Sequence, residues 1–317
     1  MTRARRWGAP RSGQGGWLSV RVEGARAMSR EPVIITHADT RLHEAFLRFV
    51  PRVFPRASFR KWHELGGWDE TYRAVAIVED GEIVANASLT RMRLVLEGRE
   101  LTGWQLGAVG VVPGRRGEGL QRLILPRLLE LSAPDDLVFL FANDSVLDFY
   151  PRFGFRRVGE AVFGVDCAVT PSGRPLRRLS VDAADDRATV RRVAAAALPV
   201  TQRFGARDYG GIVLWYWTNF FGDNLCYCED VDAVLVVQQE GDTLRICDVL
   251  AQEPFDLRAY LPRLATSPVR RLELGFTPET WWPRARALAE HRGSPLFLRG
   301  PHRLPDAPFK FPMLAQT

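Results

Sequence analysis

The sequence predicts an α+β fold built on a mixed sheet, followed by a second domain of similar outline. Three observations carry this reading. Apolar runs alternate in the order strand, helix, hairpin, strand, helix, strand, helix, strand. A segment rich in glycine and arginine, from Val109 to Arg122, joins an apolar strand to an apolar helix. A linker with two prolines and a glycine, Thr170–Leu176, separates this set from a second run of elements.

In chain order, Pro32–His37 reads as a first strand. Thr40–Val53 reads as an amphipathic helix with Leu42, Phe46 and Phe49 on one face. Ser58–Thr71 is polar and aromatic, with Trp62, His63 and Trp68, as a segment covering a ligand site would be. Tyr72–Val78 and Ile83–Leu96 form a hairpin, because Glu79-Asp80-Gly81-Glu82 holds the Asp-Gly pair that tight turns need. Leu101–Val112 is a strand, and Gly117–Leu131 a helix with Leu120, Leu123, Ile124, Leu128 and Leu131 at helical spacing. Pro126 lies inside that helix and is expected to kink it, at about 3 kcal/mol in a regular helix. Strands Leu137–Ala142 and Arg156–Cys167 complete the first sheet. In the second half, Ala183–Ala197 and Gly210–Phe221 read as helices. Asn224–Glu229, Ala233–Gln239 and Thr243–Ala251 are strands, Leu257–Ala265 a helix, and Arg270–Phe276 and Pro295–Arg299 the last strands.

The Val109–Arg122 segment has the chemistry of an anion cradle. A helix N-terminus leaves backbone N–H groups unpaired and carries partial positive charge, which suits a pyrophosphate. Gly117 and Gly119 let a ligand approach the backbone, and Arg115 and Arg116 add mobile charge.

Arg116-x-x-Gly119-x-Gln121 resembles the acyl-CoA-binding motif, Arg/Gln-x-x-Gly-x-Gly/Ala, of the GCN5-related N-acetyltransferase (GNAT) family, with Gln121 departing at the third position. Asn143 to Phe155, with Tyr150-x-x-x-Gly154-Phe155, resembles the family's next strand end, short helix and turn. The resemblance covers roughly Glu31 to Val169. It implies the GNAT acyl-CoA N-acyltransferase fold, with a splay between two parallel strands that admits the pantetheine arm. It also implies acetyl-CoA as co-substrate, held by Val109, Gly110, Val111, Arg116, Gly117, Glu118, Gly119, Leu120, Gln121, Arg122 and Asn143. Tyr150 would be the catalytic general acid that protonates the departing thiolate, since a phenol is protonated at neutral pH. The whole layout is similar to tandem-domain acetyltransferases of the enhanced-intracellular-survival type, without room for their third, sterol-carrier-like domain. The expected divisions are a disordered basic tail (1–30), an acetyltransferase domain (31–169) and a second GNAT-like or α+β domain without a CoA motif (177–317). No Arg-x-x-Gly-x-Gly/Ala equivalent occurs at Leu274-Gly275-Phe276-Thr277-Pro278, where the repeat was expected to place one.

Composition limits the partners. The chain has 317 residues, 46% hydrophobic and 25% charged, as in globular proteins. Its net charge of +6 matches the seven arginines and one glutamate of residues 1–30, so the remainder is neutral and offers no field for nucleic acid. That tail lacks the apolar core of a secretory signal, and Met28 is the expected natural start. No membrane partner is expected. Cys167, Cys226, Cys228 and Cys247 lack zinc-site spacing, Cys226 and Cys228 share a strand face, and free buried thiols suit a reducing cytoplasm. Five scattered histidines argue against a metal centre. With two lysines against forty-one arginines, the composition suggests a GC-rich bacterial genome. Oligomeric state is left open.

The predicted activity is therefore direct transfer of an acetyl group from acetyl-CoA to a primary amine of a small molecule. The alternatives are a catalytically silent acyl-CoA-binding or regulatory protein, motivated by Gln121, and a protein acetyltransferase. Backbone N–H groups near Val109–Val111 are the expected oxyanion donors. Leu101–Val112 holds no Asp, Glu or His to act as base, only Gln105. His63 and Glu64 are candidates from the covering segment. The apolar end Phe309–Thr317 is expected to dock, which would bring the Thr317 carboxylate towards the site. Trp62, Trp68, Trp104, Trp215 and Trp217 are candidates for the walls of an acceptor cleft.

Overall fold

A computed structural model of the protein describes residues 30–290 and 293–317. The basic tail expected over residues 1–30 lies outside the described residues, Arg30 apart. The first half runs β1 (Val33–Ile35), α1 (His43–Val53), α2 (Arg60–Glu64), β2 (Tyr72–Glu79), β3 (Glu82–Leu96), β4 (Arg99–Val111), α3 (Gln121–Leu129), β5 (Leu137–Phe141) and β6 (Arg156–Val158). There follow β7 (Ala161–Val169), β8 (Arg177–Arg178), α4 (Ala184–Ala196), β9 (Phe204–Arg207), α5 (Gly210–Asn219), β10 (Leu225–Cys228), β11 (Ala233–Glu240) and β12 (Thr243–Leu250). The chain closes with α6 (Leu261–Leu264), β13 (Val269–Leu274), β14 (Arg286–Glu290) and β15 (Leu296–Arg299).

Local chemistry explains most boundaries. The hairpin between β2 and β3 turns at Asp80 (φ 50°) and Gly81 (φ 78°), both left-handed, as a two-residue turn requires. The helix expected from Gly117 begins only at Gln121, because Gly117 (φ 85°) and Gly119 (φ 75°) hold the chain in a left-handed loop first. Ile124, Leu125 and Leu128 of α3 face the core, while Leu123, expected on the same face, is 44% exposed. α1 buries Phe46, Phe49 and Val50 against the first sheet.

The strands form two mixed sheets. The first has the order β1-β2-β3-β4-β5-β15-β6, with β9 alongside the end of β3. The second, taken from its far edge, has the order β8-β10-β11-β12-β13-β7-β14. The two lists match pair for pair. Each is antiparallel except at its centre, where β4 pairs β5 and β12 pairs β13 in parallel. The second half therefore repeats the first.

The sequence reading took Arg156–Cys167 as one strand of the first sheet, and the structure corrects this. Only β6 stays there; the chain breaks at Gly159-Glu160, and β7 crosses to the second sheet between β13 and β14. β15 makes the return crossing and fills the slot between β5 and β6, pairing Leu296 with both Phe141 and Val158. Each sheet is thus completed by a strand from the other half.

After β15 the chain runs back between the halves as a strap. Lys310 Nζ meets Glu160 Oε2 at 2.8 Å with both side chains buried, and the backbone N–H of Phe311 donates to Glu160 Oε1 at 2.8 Å. Burial raises the Glu160 carboxyl above the usual carboxylate range, against the pull of Lys310. Phe311 packs on Phe139 of the first sheet and Phe204 of β9, at ring separations of 5.1 and 4.8 Å. The N–H of Met313 donates to the carbonyl of Gly275 beyond β13.

One buried acid in the second sheet has a measurable signature. Asp248 of β12 is fully buried and accepts from the Tyr209 hydroxyl at 3.0 Å and from the Val249 N–H at 2.8 Å. Desolvation outweighs these bonds and lifts its carboxyl to about 7. The folded state thus holds a proton that the unfolded chain releases near pH 4. Stability from this group is fully present below that point and is lost as pH rises through about 7. Asp248→Asn, which keeps an oxygen for the Val249 N–H and turns an NH2 donor towards the Tyr209 oxygen, is expected to unfold at higher denaturant than the wild type at pH 8, by roughly 2–4 kcal/mol. The difference should vanish at pH 4, which paired urea titrations at the two pH values would measure.

Candidate active site

The site begins with a defect in β4. β4 and β5 pair in parallel only from Gly103 to Gln105 and from Leu137 to Phe139, then diverge. The divergence coincides with a register shift between β3 and β4, where Ala108 takes a left-handed backbone (φ 47°). Buried polar side chains hold this bulge. Asn86 Nδ2 donates to the Ala108 carbonyl and to Ser88 Oγ, each at 3.0 Å, and the Tyr72 hydroxyl donates to Ser88 Oγ at 2.8 Å. Gln121 Nε2 donates to the carbonyls of Asn86 (2.8 Å) and Gly110 (2.9 Å). The glutamine that departs from the expected motif therefore braces the bulge from α3.

Past the bulge lies the cradle. The N–H groups of Gly117, Glu118, Gly119 and Leu120 donate to no acceptor among the described residues, so four donors sit together before α3. Arg116 is exposed and its Nε donates to the Val111 carbonyl at 3.3 Å; Arg122 is also exposed. Arg115, expected to be mobile charge, is not. Its guanidinium is shared between Glu79 and Glu118 and holds both carboxyls below their ordinary range. Gly110 and Val111 lie in β4 opposite Asn86 and Ala85, and a Cβ on Gly110 would run into Val53.

At the other end, the diverging strands open into a cavity of about 460 Å³. Gly107, Ala108 and Val109 line one side, and Phe141, Asn143 and Tyr150 the other. Tyr150 starts a short 3-10 turn and is 6% exposed; burial lifts its phenol to about 12. The structure thus brings Tyr150, Val109 and Asn143 to one cavity and leaves residues 116–122 at the cradle, with the slot between β4 and β5 joining the two.

The other candidates are sorted by their partners. Of the five tryptophans, only Trp215 lines the cavity. Trp62 donates to the Gly211 carbonyl, Trp104 to Asp136, and Trp217 to the Gly222 carbonyl, while Trp68 stacks on His43 at 4.2 Å. His63 and Glu64 do not line it either. His43 Nε2 donates to the Thr36 carbonyl at 2.9 Å, and His43 Nδ1 and His63 Nε2 share a hydrogen bond, also at 2.9 Å. Burial lowers the His63 pKa, and the pair fastens α2 to α1 away from the cavity.

The docked end Phe309–Thr317 brings Thr317 to the cavity as expected, while Ile212, Tyr216 and Phe220 of the second half were missed. Ile212, Trp215 and Tyr216 of α5, with Phe220 just after it, face the cavity beside Gln316 and Thr317. The strap end is fastened to β4 by Gln105, whose Nε2 donates to the Ala315 carbonyl at 2.6 Å and whose Oε1 accepts from the Thr317 N–H. Gly107 leaves the room for this, since a Cβ there would fall 2.6 Å from Thr317 Oγ1. In the repeat, the loop matching the cradle is Ala251–Asp256, between β12 and α6. The sequence reading sought it at Leu274–Pro278, which instead follows β13 as Asn143 follows β5. Ala251–Asp256 carries Glu253, Pro254 and Asp256 and no glycine.

A mixed sheet with a parallel pair splayed at a bulge, and N–H groups without acceptors among the described residues at the head of the following helix, is the arrangement of the GNAT acyltransferase fold. Residues 35–158 match the family model described as acetyltransferase (GNAT) domain. This part of the chain is a GNAT-family acetyltransferase domain. No curated protein sequence matches the chain. Among solved structures it is similar to Eis1 from Mycobacterium abscessus, at 17% identity and TM-score 0.52, over 85% of this chain and 73% of that one. It is also similar to a GCN5-related N-acetyltransferase from Kribbella flavida, at 18% identity and TM-score 0.49, over 84% and 70%.

If Gln105 fastens the strap, Gln105→Ala removes two hydrogen bonds, each contributing on the order of 1 kcal/mol. Amide exchange of Gln316 and Thr317, followed by mass spectrometry, is expected to quicken by about tenfold or more. The amides of β2 and β3 should keep their protection.

Proposed function

We propose that the protein transfers an acetyl group from acetyl-CoA directly to a primary amine of a small molecule. The observation that carries this reading is the slot between β4 and β5, with four unpaired N–H groups at one end and a buried protonated phenol at the other. In this reading Gly117 to Leu120 receive the pyrophosphate, with Gln121 bracing the loop and Arg116 and Arg122 free to approach it. Val109 and Asn143 flank the pantetheine arm. Gly110, Val111 and Glu118 act through the backbone of the strand and loop.

Acetyl-CoA supplies an activated thioester carbonyl. The neutral amine forms the new C–N bond as the C–S bond breaks, the carbonyl oxygen is met by backbone N–H groups at the Gly107–Val109 bulge, and Tyr150 gives its proton to the sulfur. The proton shed by the nitrogen passes to solvent. Because Gln121 points into the bulge and leaves the cradle's donors free, its departure from the family motif does not support a silent binding module. Four free cysteines support a cytoplasmic setting, and no helix among the described residues is long and apolar enough to cross a membrane.

Titration calorimetry with acetyl-CoA tests the cradle. Gly119→Glu places a carboxylate and a side chain at a left-handed position, and is expected to weaken acetyl-CoA binding by tenfold or more, on the order of the backbone strain alone. Wild-type protein that fails to bind acetyl-CoA would end the reading. For the chemical step, Tyr150→Phe is expected to lower kcat by about 10²- to 10⁴-fold with acetyl-CoA affinity unchanged. Since burial keeps the phenol protonated to about pH 12, wild-type kcat/KM should rise with amine deprotonation and show no fall below about pH 10.

A further inference from the structure

Resting on the acetyltransferase reading, we infer that the acceptor is a monoamine carried on an aromatic or otherwise apolar body, and that the second half of the chain selects it. The cavity walls divide by origin. The end where transfer would occur is first-half backbone and Tyr150, with Thr317 of the strap packed on Gly107. The opposite end is Phe54 and Phe59 from the first half with Ile212, Trp215, Tyr216 and Phe220 from the second. Phe59 and Trp215 lie 5.9 Å apart between ring centres, and Trp215 and Phe220 lie 5.4 Å apart. Phe220 is 42% exposed, which places an uncovered aromatic ring at the entrance. These faces match the face or edge of an aromatic guest.

The side chains in the lining are neutral, with hydroxyls and amides at Thr90, Asn143, Ser294 and Gln316; the one charge beside them is the α-carboxylate of Thr317, the last residue of the sequence. No charged side chain of the described residues lines the cavity. The Thr317 carboxylate can meet one ammonium, so a polyamine or an amino sugar with several would have to strip water from the charges it leaves unmet. A monoamine brings a single charge, and it must lose that proton before it can attack. Apolar walls around it favour the neutral, reactive form, because desolvation disfavours an ammonium. The wall thus selects the body of the acceptor and aids the protonation state of its nitrogen together.

The test is steady-state kinetics of the full chain, followed by thiol release, with tryptamine and spermidine as acceptors and acetyl-CoA binding measured in parallel. Tryptamine is expected to have the higher kcat/KM. Trp215→Ala should raise the KM for tryptamine on the order of tenfold, with the KM for acetyl-CoA unchanged and Trp215→Phe recovering most of the loss. Phe220→Asp, at an exposed position that the fold tolerates, should shift the kcat/KM ratio towards spermidine by about tenfold. A wild-type preference for spermidine, or a ratio unmoved by Phe220→Asp, overturns the inference. So does acetyl-CoA binding without acetylation of either amine, which leaves the cradle intact. Absence of acetyl-CoA binding removes the functional reading and this inference with it.

Discussion

β7 and β15 each lie between two strands of the half to which they do not belong in sequence, and the rest of the architecture depends on that exchange. A slot between β5 and β6 exposes two rows of backbone donors and acceptors, and only a strand fits it. Once β7 has left for the second sheet, β15 must come back, and the chain after it is delivered between the halves. The strap follows from that path. Its buried Lys310–Glu160 pair sits at the break between β6 and β7, so the ion pair marks the point where the first exchanged strand departs. Removing either partner would leave a buried charge unpaired, which is why the pair specifies the strap's course more than it adds stability.

The cavity depends on the same layout at one remove. A splayed parallel pair leaves a wedge of unsatisfied backbone, and the bulge at Ala108 needs four side chains, Asn86, Ser88, Tyr72 and Gln121, to hold it open. α5 and the strap close the wide end and leave its interior apolar. In the repeat β12 and β13 stay together for longer: after Ile246 and Leu274 the N–H of Gly275 donates to the Ile246 carbonyl, Gly275 lies against the Cys247 backbone, and Met313 of the strap donates to the Gly275 carbonyl. One half keeps an open slot, and the other has its central pair closed, with the strap fastened at its end.

Much of this was legible in residues. Asp80-Gly81 fixed the first hairpin, since both positions need left-handed backbone, and Gly117 and Gly119 marked the cradle for the same reason. Tyr150 was placed by its spacing to Gly154-Phe155, and Gly154 does take the left-handed conformation (φ 81°). The exchange was not legible. Alternation says which face of a strand is buried and nothing about its neighbours, so Arg156–Cys167 read as one strand. The bulge was hidden because Ala108 adopts a conformation usually signalled by Gly or Asn. The cavity wall was hidden because five tryptophans have equal apolar weight in a sequence. Indole hydrogen bonds, as of Trp62 to Gly211 and Trp217 to Gly222, and the stacking of Trp68 on His43 separate those that brace the core from Trp215.

The exchange also sets the order of events during synthesis. On the ribosome the first sheet lacks only β9 at its edge and β15 in its middle when the repeat begins, and β15 is the last strand of all. Until Leu296–Arg299 emerges, β5 and β6 flank an open apolar groove, the kind of transient surface that invites wrong pairing between nascent chains. Closure then needs contacts across most of the second half, which is slow. A chain of this design completes both its sheets late and together, and during that interval holdase chaperones have most to protect.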